Sequence, residues 1–113
     1  MSAGAYELEI EQGVDRVIAI TLKDKVTGLP LNLTSWTFSM QIREKYTSTT
    51  VLYSPTINIT NAVGGEIQIV LTDTATSALP AKALVYDLEG QRPDGTRIRI
   101  LKGPAIVDPE VTR

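Results

Sequence analysis

The sequence predicts an all-β protein, an antiparallel sandwich of about seven or eight strands with one short helical turn. Three observations lead there. Apolar residues recur at every second position in run after run, the period of a strand with one buried face. Turn signals built on glycine, proline, asparagine and aspartate separate these runs at spacings of roughly ten residues. No segment carries a helical period for more than about one turn. Among sandwich and barrel architectures the immunoglobulin-like sandwich is preferred, because a partly open oligonucleotide-binding barrel would use a basic groove and stacking aromatics that this chain lacks.

The first strand alternates Tyr6, Leu8 and Ile10 with Glu7, Glu9 and Glu11, one buried face against one acidic face. Residues 12–15 turn around Gly13, and Ile18, Ile20 and Leu22 form the inward face of the second strand. Residues 24–30 are broken by Gly28 and Pro30 and read as a loop, after which Leu31 and Leu33 return to the core. Residues 36–43 place Trp36, Phe38, Met40 and Ile42 on one parity, the most hydrophobic face of the chain. It is expected as a central strand, with Trp36 buried between two sheets. Residues 44–50, EKYTSTT, read as an exposed connection whose one large ring is Tyr46. A short strand at 51–54 is expected to stop at Pro55.

Ile57 and Ile59 alternate with Asn58 and Thr60, residues 61–65 turn the chain back, and Ile67, Ile69 and Leu71 face inward in the next strand. Residues 72–80, TDTATSALP, suit a single helical turn stopped by Pro80. Residues 82–102 then form a hairpin around Pro93-Asp94-Gly95, a three-residue connection with glycine at the left-handed position. That turn sets Arg92 against Thr96, Gly90 against Ile98, Glu89 against Arg99 and Leu88 against Ile100, with Leu84, Tyr86, Leu88, Ile98 and Ile100 inward. A two-residue turn would set Glu89 against Ile100, a charge against a core residue. After Gly103-Pro104 a short strand at 105–107 precedes a tail at 108–113. The two ends, residues 1–5 and 108–113, are expected as extended assembly elements rather than core.

With 113 residues the chain fits one domain, residues 1–113, large enough for a core without disulfides or metal. A net charge of −2 provides no electrostatic footprint for nucleic acid. The absence of cysteine and histidine removes thiolate nucleophiles, imidazole bases and the nitrogen and sulfur metal ligands. No basic leader with an apolar core opens the chain and no apolar run reaches the length of a membrane span. The expectation is a protein made in the cytoplasm, with no membrane partner, nucleic-acid partner or small-molecule substrate.

No residue qualifies as catalytic, cofactor-binding or metal-binding. Asp87 and Glu89 lie two apart on one strand face, a spacing glycosidases could use, but Glu89 opposite Arg99 reads as an exposed cross-strand ion pair. Asp73 and Asp94 lack the oxygen count of a calcium loop and read as a helical-turn cap and a turn residue. Asn32-Leu33-Thr34 and Asn58-Ile59-Thr60 match the glycosylation pattern, which has meaning only in a secreted chain. Gly64-Gly65 precedes a strand, whereas a phosphate loop opens a helix. The hydroxyls of Ser48, Thr49 and Thr50 have no base to activate them.

The order of these signals carries a resemblance: EIEQG, then LKDKVTGLPLNLTSWTFSMQIRE, GGEIQIVLTDTATSALP, YDLEGQRPDGTRIRILKG and a terminal DPEVTR. The chain resembles small virion proteins of tailed bacteriophages and, more loosely, the N-terminal β-sandwich domain of upper baseplate proteins. In the latter a G-x-P-x-D/N-L-T turn leads into an M-Q-I-R strand, here Gly28, Pro30, Asn32, Leu33 and Thr34, then Met40, Gln41, Ile42 and Arg43. The match spans nearly the whole chain. It departs at Ser35-Trp36, where glycine and tyrosine are expected, and at the basic hairpin end, Arg97 and Arg99. The resemblance implies a non-enzymatic virion building block of tail, baseplate or head-to-tail assembly, partnered by other virion proteins and copies of itself, with no cofactor. A carbohydrate-binding module is the alternative, for which Tyr46 and Tyr53 are the candidate sugar platforms.

Overall fold

The computed structural model describes residues 4–24 and 26–109. Along the chain run β1 (Gly4–Ala5), β2 (Leu8–Glu11), β3 (Arg16–Thr21), β4 (Thr37–Arg43), β5 (Thr56–Asn61), β6 (Glu66–Leu71), α1 (Asp73–Ala78), β7 (Ala83–Gln91) and β8 (Arg97–Asp108). They form an immunoglobulin-like sandwich. One sheet has the order β1-β8-β7-β4 with β2 also on β8, and the other has the order β3-β6-β5. The facing side chains of both layers join in one cluster, including Leu8, Ile10, Ile18, Leu33, Met40, Ile42, Ile67, Ile69, Leu71, Leu84, Leu88 and Val107. Alternation or a return to the core places each of these inward in the sequence, Val107 excepted.

The sandwich is not wholly antiparallel. β1 and β2 run parallel to β8, with Leu8 opposite Ala105 and Ile10 opposite Val107. The break between them falls at Tyr6-Glu7, so Tyr6 leaves the inward parity and is 44% exposed. Gly4 and Ala5 belong to the sheet, which corrects the expectation of a free N-terminal end. Residues 1–3 and 110–113 lie outside the described residues. Asp108 ends β8, and the short strand expected at 105–107 is the last part of that continuous 12-residue strand.

The hairpin register holds from Gln91 opposite Arg97 through Gly90 opposite Ile98 to Glu89 opposite Arg99. It then slips by one. A bulge at Ile100 sets Leu88 against Leu101 rather than Ile100, and the extra residue reverses the parity of everything that follows. The buried residues of the second half of β8 are therefore Gly103, Ala105 and Val107, while Ile98 and Ile100 are only half-buried.

Trp36 and Phe38 are also half-buried, which corrects the expected burial of Trp36 between the sheets. The cause is the unequal length of the layers. β7 and β8 have 9 and 12 residues, whereas β3, β5 and β6 have six each. At about 3.3 Å per residue the short sheet covers roughly 20 Å of strands that reach about 40 Å. The uncovered end carries the hairpin turn, where Trp36 stacks on Phe38 at 5.9 Å between centroids and the Arg92 guanidinium lies 5.6 Å over the indole. β4 is an edge strand, not a central one. Its edge is capped where Ile42 exchanges backbone bonds with Tyr53 and Leu52, each at 2.8 Å, an isolated bridge in place of the strand expected at 51–54.

The helical turn is capped by Thr72, whose hydroxyl accepts from the Ala75 amide at 3.2 Å; Asp73, the expected cap, stands in the first turn. Thr76 is fully buried and pins α1 to the β2–β3 turn, donating to the Val14 carbonyl at 3.0 Å and accepting from the Gly13 amide at 3.1 Å.

Candidate interaction surface

The outward parity of β4, β7 and β8 builds a polar face. Ser39, Gln41, Arg43, Val85, Asp87, Glu89 and Arg97, together with Tyr46 from the following loop, line an open trough of about 440 Å³. Arg43 shapes one wall. One of its guanidinium nitrogens donates to Gln41 Oε1 at 2.7 Å and the other to the Ser48 carbonyl, so it folds residues 44–48 back along the sheet. Tyr46 stands on that loop 59% exposed, while Tyr53, the other candidate platform, packs half-buried against the core.

Asp87 and Glu89 both reach the trough, as two residues of one parity must. The ion pair that forms, however, is Arg99 Nε to Asp87 Oδ2 at 3.5 Å. Glu89 faces Arg99 in the backbone register, and yet the arginine reaches the diagonal neighbour instead. At the loop end Lys82 pairs with Glu44, and that hydrogen bond and charge hold the Glu44 carboxyl below its ordinary range. Such solvated contacts order side chains and contribute little to stability.

The other titratable features are structural. Tyr86 is 2% exposed, and its hydroxyl donates to the Tyr6 carbonyl at 2.6 Å. Burial, with smaller contributions from Tyr6 and Tyr46, pushes its pKa up to about 12, so at neutral pH it is a fixed donor and no base. Asp94 accepts from the Thr96 amide at 2.9 Å, which holds its carboxyl below the usual range and confirms it as a turn residue. Asp73 Oδ1 accepts from the Thr74 amide. Among the described residues no group of three or more histidine, cysteine, aspartate or glutamate side chains is arranged to hold a metal ion. Asn32 is engaged in its own turn, accepting from the Thr34 amide and hydroxyl at 3.0 and 2.6 Å.

No protein-family model matches the sequence, and no curated protein matches it. Among solved structures, the N-terminal domain of phage TP901-1 ORF48 is similar over 93% of this chain and 85% of that one, at a TM-score of 0.56 and 15% identity. Tim-2 matches at a TM-score of 0.48 and 11% identity, covering 99% of both chains. A structure from a photo-crosslinking study of the cell-adhesive interactions of VGSC beta subunits matches at 0.43 and 14%, over 97% and 96%. At 15% identity the likeness to the phage domain is one of fold alone.

Sequence reasoning missed the trough as a unit. Its residues are polar and come from three strands and a loop, and only the pairing of β4 with β7 and of β7 with β8 brings them together. The signal that could have found it was the outward parity of those three strands, read side by side.

Proposed function

We propose that this chain is a non-enzymatic structural component of a tailed-phage particle, in the tail, baseplate or head-to-tail region, acting through protein–protein interfaces with other virion proteins and with copies of itself. The observation that carries the reading is the likeness of fold, over 93% of the chain, to the N-terminal domain of phage TP901-1 ORF48. The ordered turn and strand signals from Gly28 to Arg43 independently resemble upper baseplate proteins. The surface chemistry agrees. Tyr86 is engaged as a donor to the Tyr6 carbonyl, and the trough is open and lined by polar and charged side chains, the composition of an interface rim.

The test is to follow the chain in purified particles. An epitope-tagged copy should co-sediment with intact virions and be placed by immunogold labelling at the tail or its attachment point. Particles that lack the chain yet assemble and infect normally would remove the reading.

A second reading, a carbohydrate-binding module for host attachment, has one observation in its favour: the exposed Tyr46 ring stands beside polar trough residues, the pairing of platform and hydrogen-bonding groups that sugars use. Binding on a glycan array that disappears in Tyr46→Ala would support it. An array without hits would dismiss it.

A further inference from the structure

We propose that β5 is a self-recognition edge, by which two copies of this chain pair antiparallel about a two-fold axis through Asn58. The argument begins with the sequence of the strand. Residues 56–60 read Thr-Ile-Asn-Ile-Thr, a palindrome. In an antiparallel pair centred on Asn58, that residue faces its own copy, Ile57 faces Ile59 of the other chain, and Thr56 faces Thr60. Every position thus meets a residue of its own kind, so in an isologous two-fold contact, where residue i meets j and j meets i, the two strands are matched like to like.

The placement of the strand makes that pairing available. β5 is the last strand of the three-stranded sheet and pairs only with β6 among the described residues. Its other edge presents a row of backbone donors and acceptors. Natural edges are commonly guarded by charges or by a covering segment, and β5 has no charged residue along its length. The bulge at Thr60, where the register against β6 shifts between Ile59 and Asn61, ends the regular run. Ile57 is half-buried and Ile59 is 39% exposed, so both gain cover when the neighbouring β5 extends the layer. Thr56 and Asn58 are exposed, and an Asn58–Asn58 cross-strand pair forms side-chain hydrogen bonds, whereas Thr60, at the bulge, donates its hydroxyl to the Glu66 carbonyl at 3.2 Å.

The remaining edges are less suited. β4 is covered at Ile42 by Leu52 and Tyr53. β2 carries Glu9 and Glu11, which would bring like charges together. At β3 the Arg16 side chain crosses to the Glu9 carbonyl at 3.1 Å. The dimer therefore joins two three-stranded sheets into one of six, in the order β3-β6-β5-β5-β6-β3. This pairing is a property of the chain in solution and goes beyond the particle reading. It can fail with that reading intact, and the particle reading can fail without touching it.

The test uses the full chain in analytical ultracentrifugation over a concentration series. Wild type is expected to show a concentration-dependent dimer. Asn58→Lys, which sets two like charges on the axis at an exposed position, is expected to be monomeric and to keep the thermal midpoint that wild type shows at dilutions where it too is monomeric, and so is Asn58→Asp. An equimolar mixture of those two variants is expected to dimerise again, since only a contact in which residue 58 meets itself converts both repulsions into one attraction. Asn58→Cys in a chain without cysteine is expected to give a disulfide-linked dimer on air oxidation. Wild type that stays monomeric at every attainable concentration overturns the proposal. So does a dimer that survives Asn58→Lys, or one broken instead by Ala19→Lys on the exposed face of β3.

Discussion

The Tyr86 hydroxyl donates at 2.6 Å to the carbonyl of Tyr6, 80 positions earlier in the chain. That carbonyl belongs to the interruption between β1 and β2, where it would otherwise lack a ladder partner. The bond thus seals the point at which the N-terminal strand changes course over the sheet. Tyr86→Phe should lower stability by about 1 to 2 kcal/mol, as for a buried acceptor left unpaired, measured by urea unfolding.

Burial of the same hydroxyl carries a pH dependence. With the folded pKa near 12 and an unfolded value of about 10, the native state retains the proton where the unfolded chain has lost it. The stability from this group is complete below about pH 10 and disappears as pH rises toward 12, a swing of roughly 2 kcal/mol. Wild type minus Tyr86→Phe stability, followed from pH 8 to 12, should decline over that window. A flat difference would show that burial does not separate the two states.

Gly103 lies directly under the same crossing. A Cβ built there would stand 2.5 Å from the Tyr6 carbonyl oxygen, a backbone atom that cannot swing aside. Gly103→Ala should cost about 1 to 3 kcal/mol and speed hydrogen exchange in β1 and β2 more than in β6. Equal exchange in both regions would place the strain elsewhere.

Two left-handed residues offer opposite substitutions. Gly95 has φ of 92° in the hairpin turn and Ser35 has φ of 65° before β4. Gly95→Val should destabilise by about 1 to 2 kcal/mol, and Ser35→Gly should stabilise by up to about 1 kcal/mol. Ser35 holds a left-handed conformation that glycine adopts without a Cβ penalty, so its side chain carries the strain. A Ser35→Gly chain weaker than wild type would refute this account.

Trp36, stacked on Phe38 beneath Arg92 at the uncovered end of the sheet, should emit between the buried and solvated limits. Removing the guanidinium with Arg92→Ala should raise acrylamide quenching and shift emission to the red, at a stability cost of about 0.5 kcal/mol. Unchanged quenching would mean that Arg92 does not shield the ring.

Much of this architecture can be read from alternation alone. Leu8, Ile18, Met40, Ile67 and Leu84 are buried as their parity requires, and Pro93-Asp94-Gly95 sets the register as far as Glu89 and Arg99. Alternation assigns a residue to a face but says nothing of what lies opposite at that height, which is why Trp36 and Phe38 look like core in sequence and sit half-open in the fold. It is also blind to an inserted residue: no local feature at Ile100 marks the bulge that turns Leu101 inward. The trough was least legible, because Arg43, Asp87 and Arg97 are ordinary outward residues until the sheet sets them side by side.

The parallel ladder between β2 and β8 also constrains the order of events during synthesis. Leu8 meets Ala105, and Ile10 meets Val107, so β2 waits until β8 has been made before it gains a strand partner among the described residues. Closing so long a loop is entropically costly, and its cost precedes any gain from the contacts it makes. Until then Leu8 and Ile10 remain exposed and the growing sheet lacks one flank. A nascent chain halted before residue 105 should therefore be a chaperone substrate, with the lag between translation and a closed core set by topology rather than by any single weak contact.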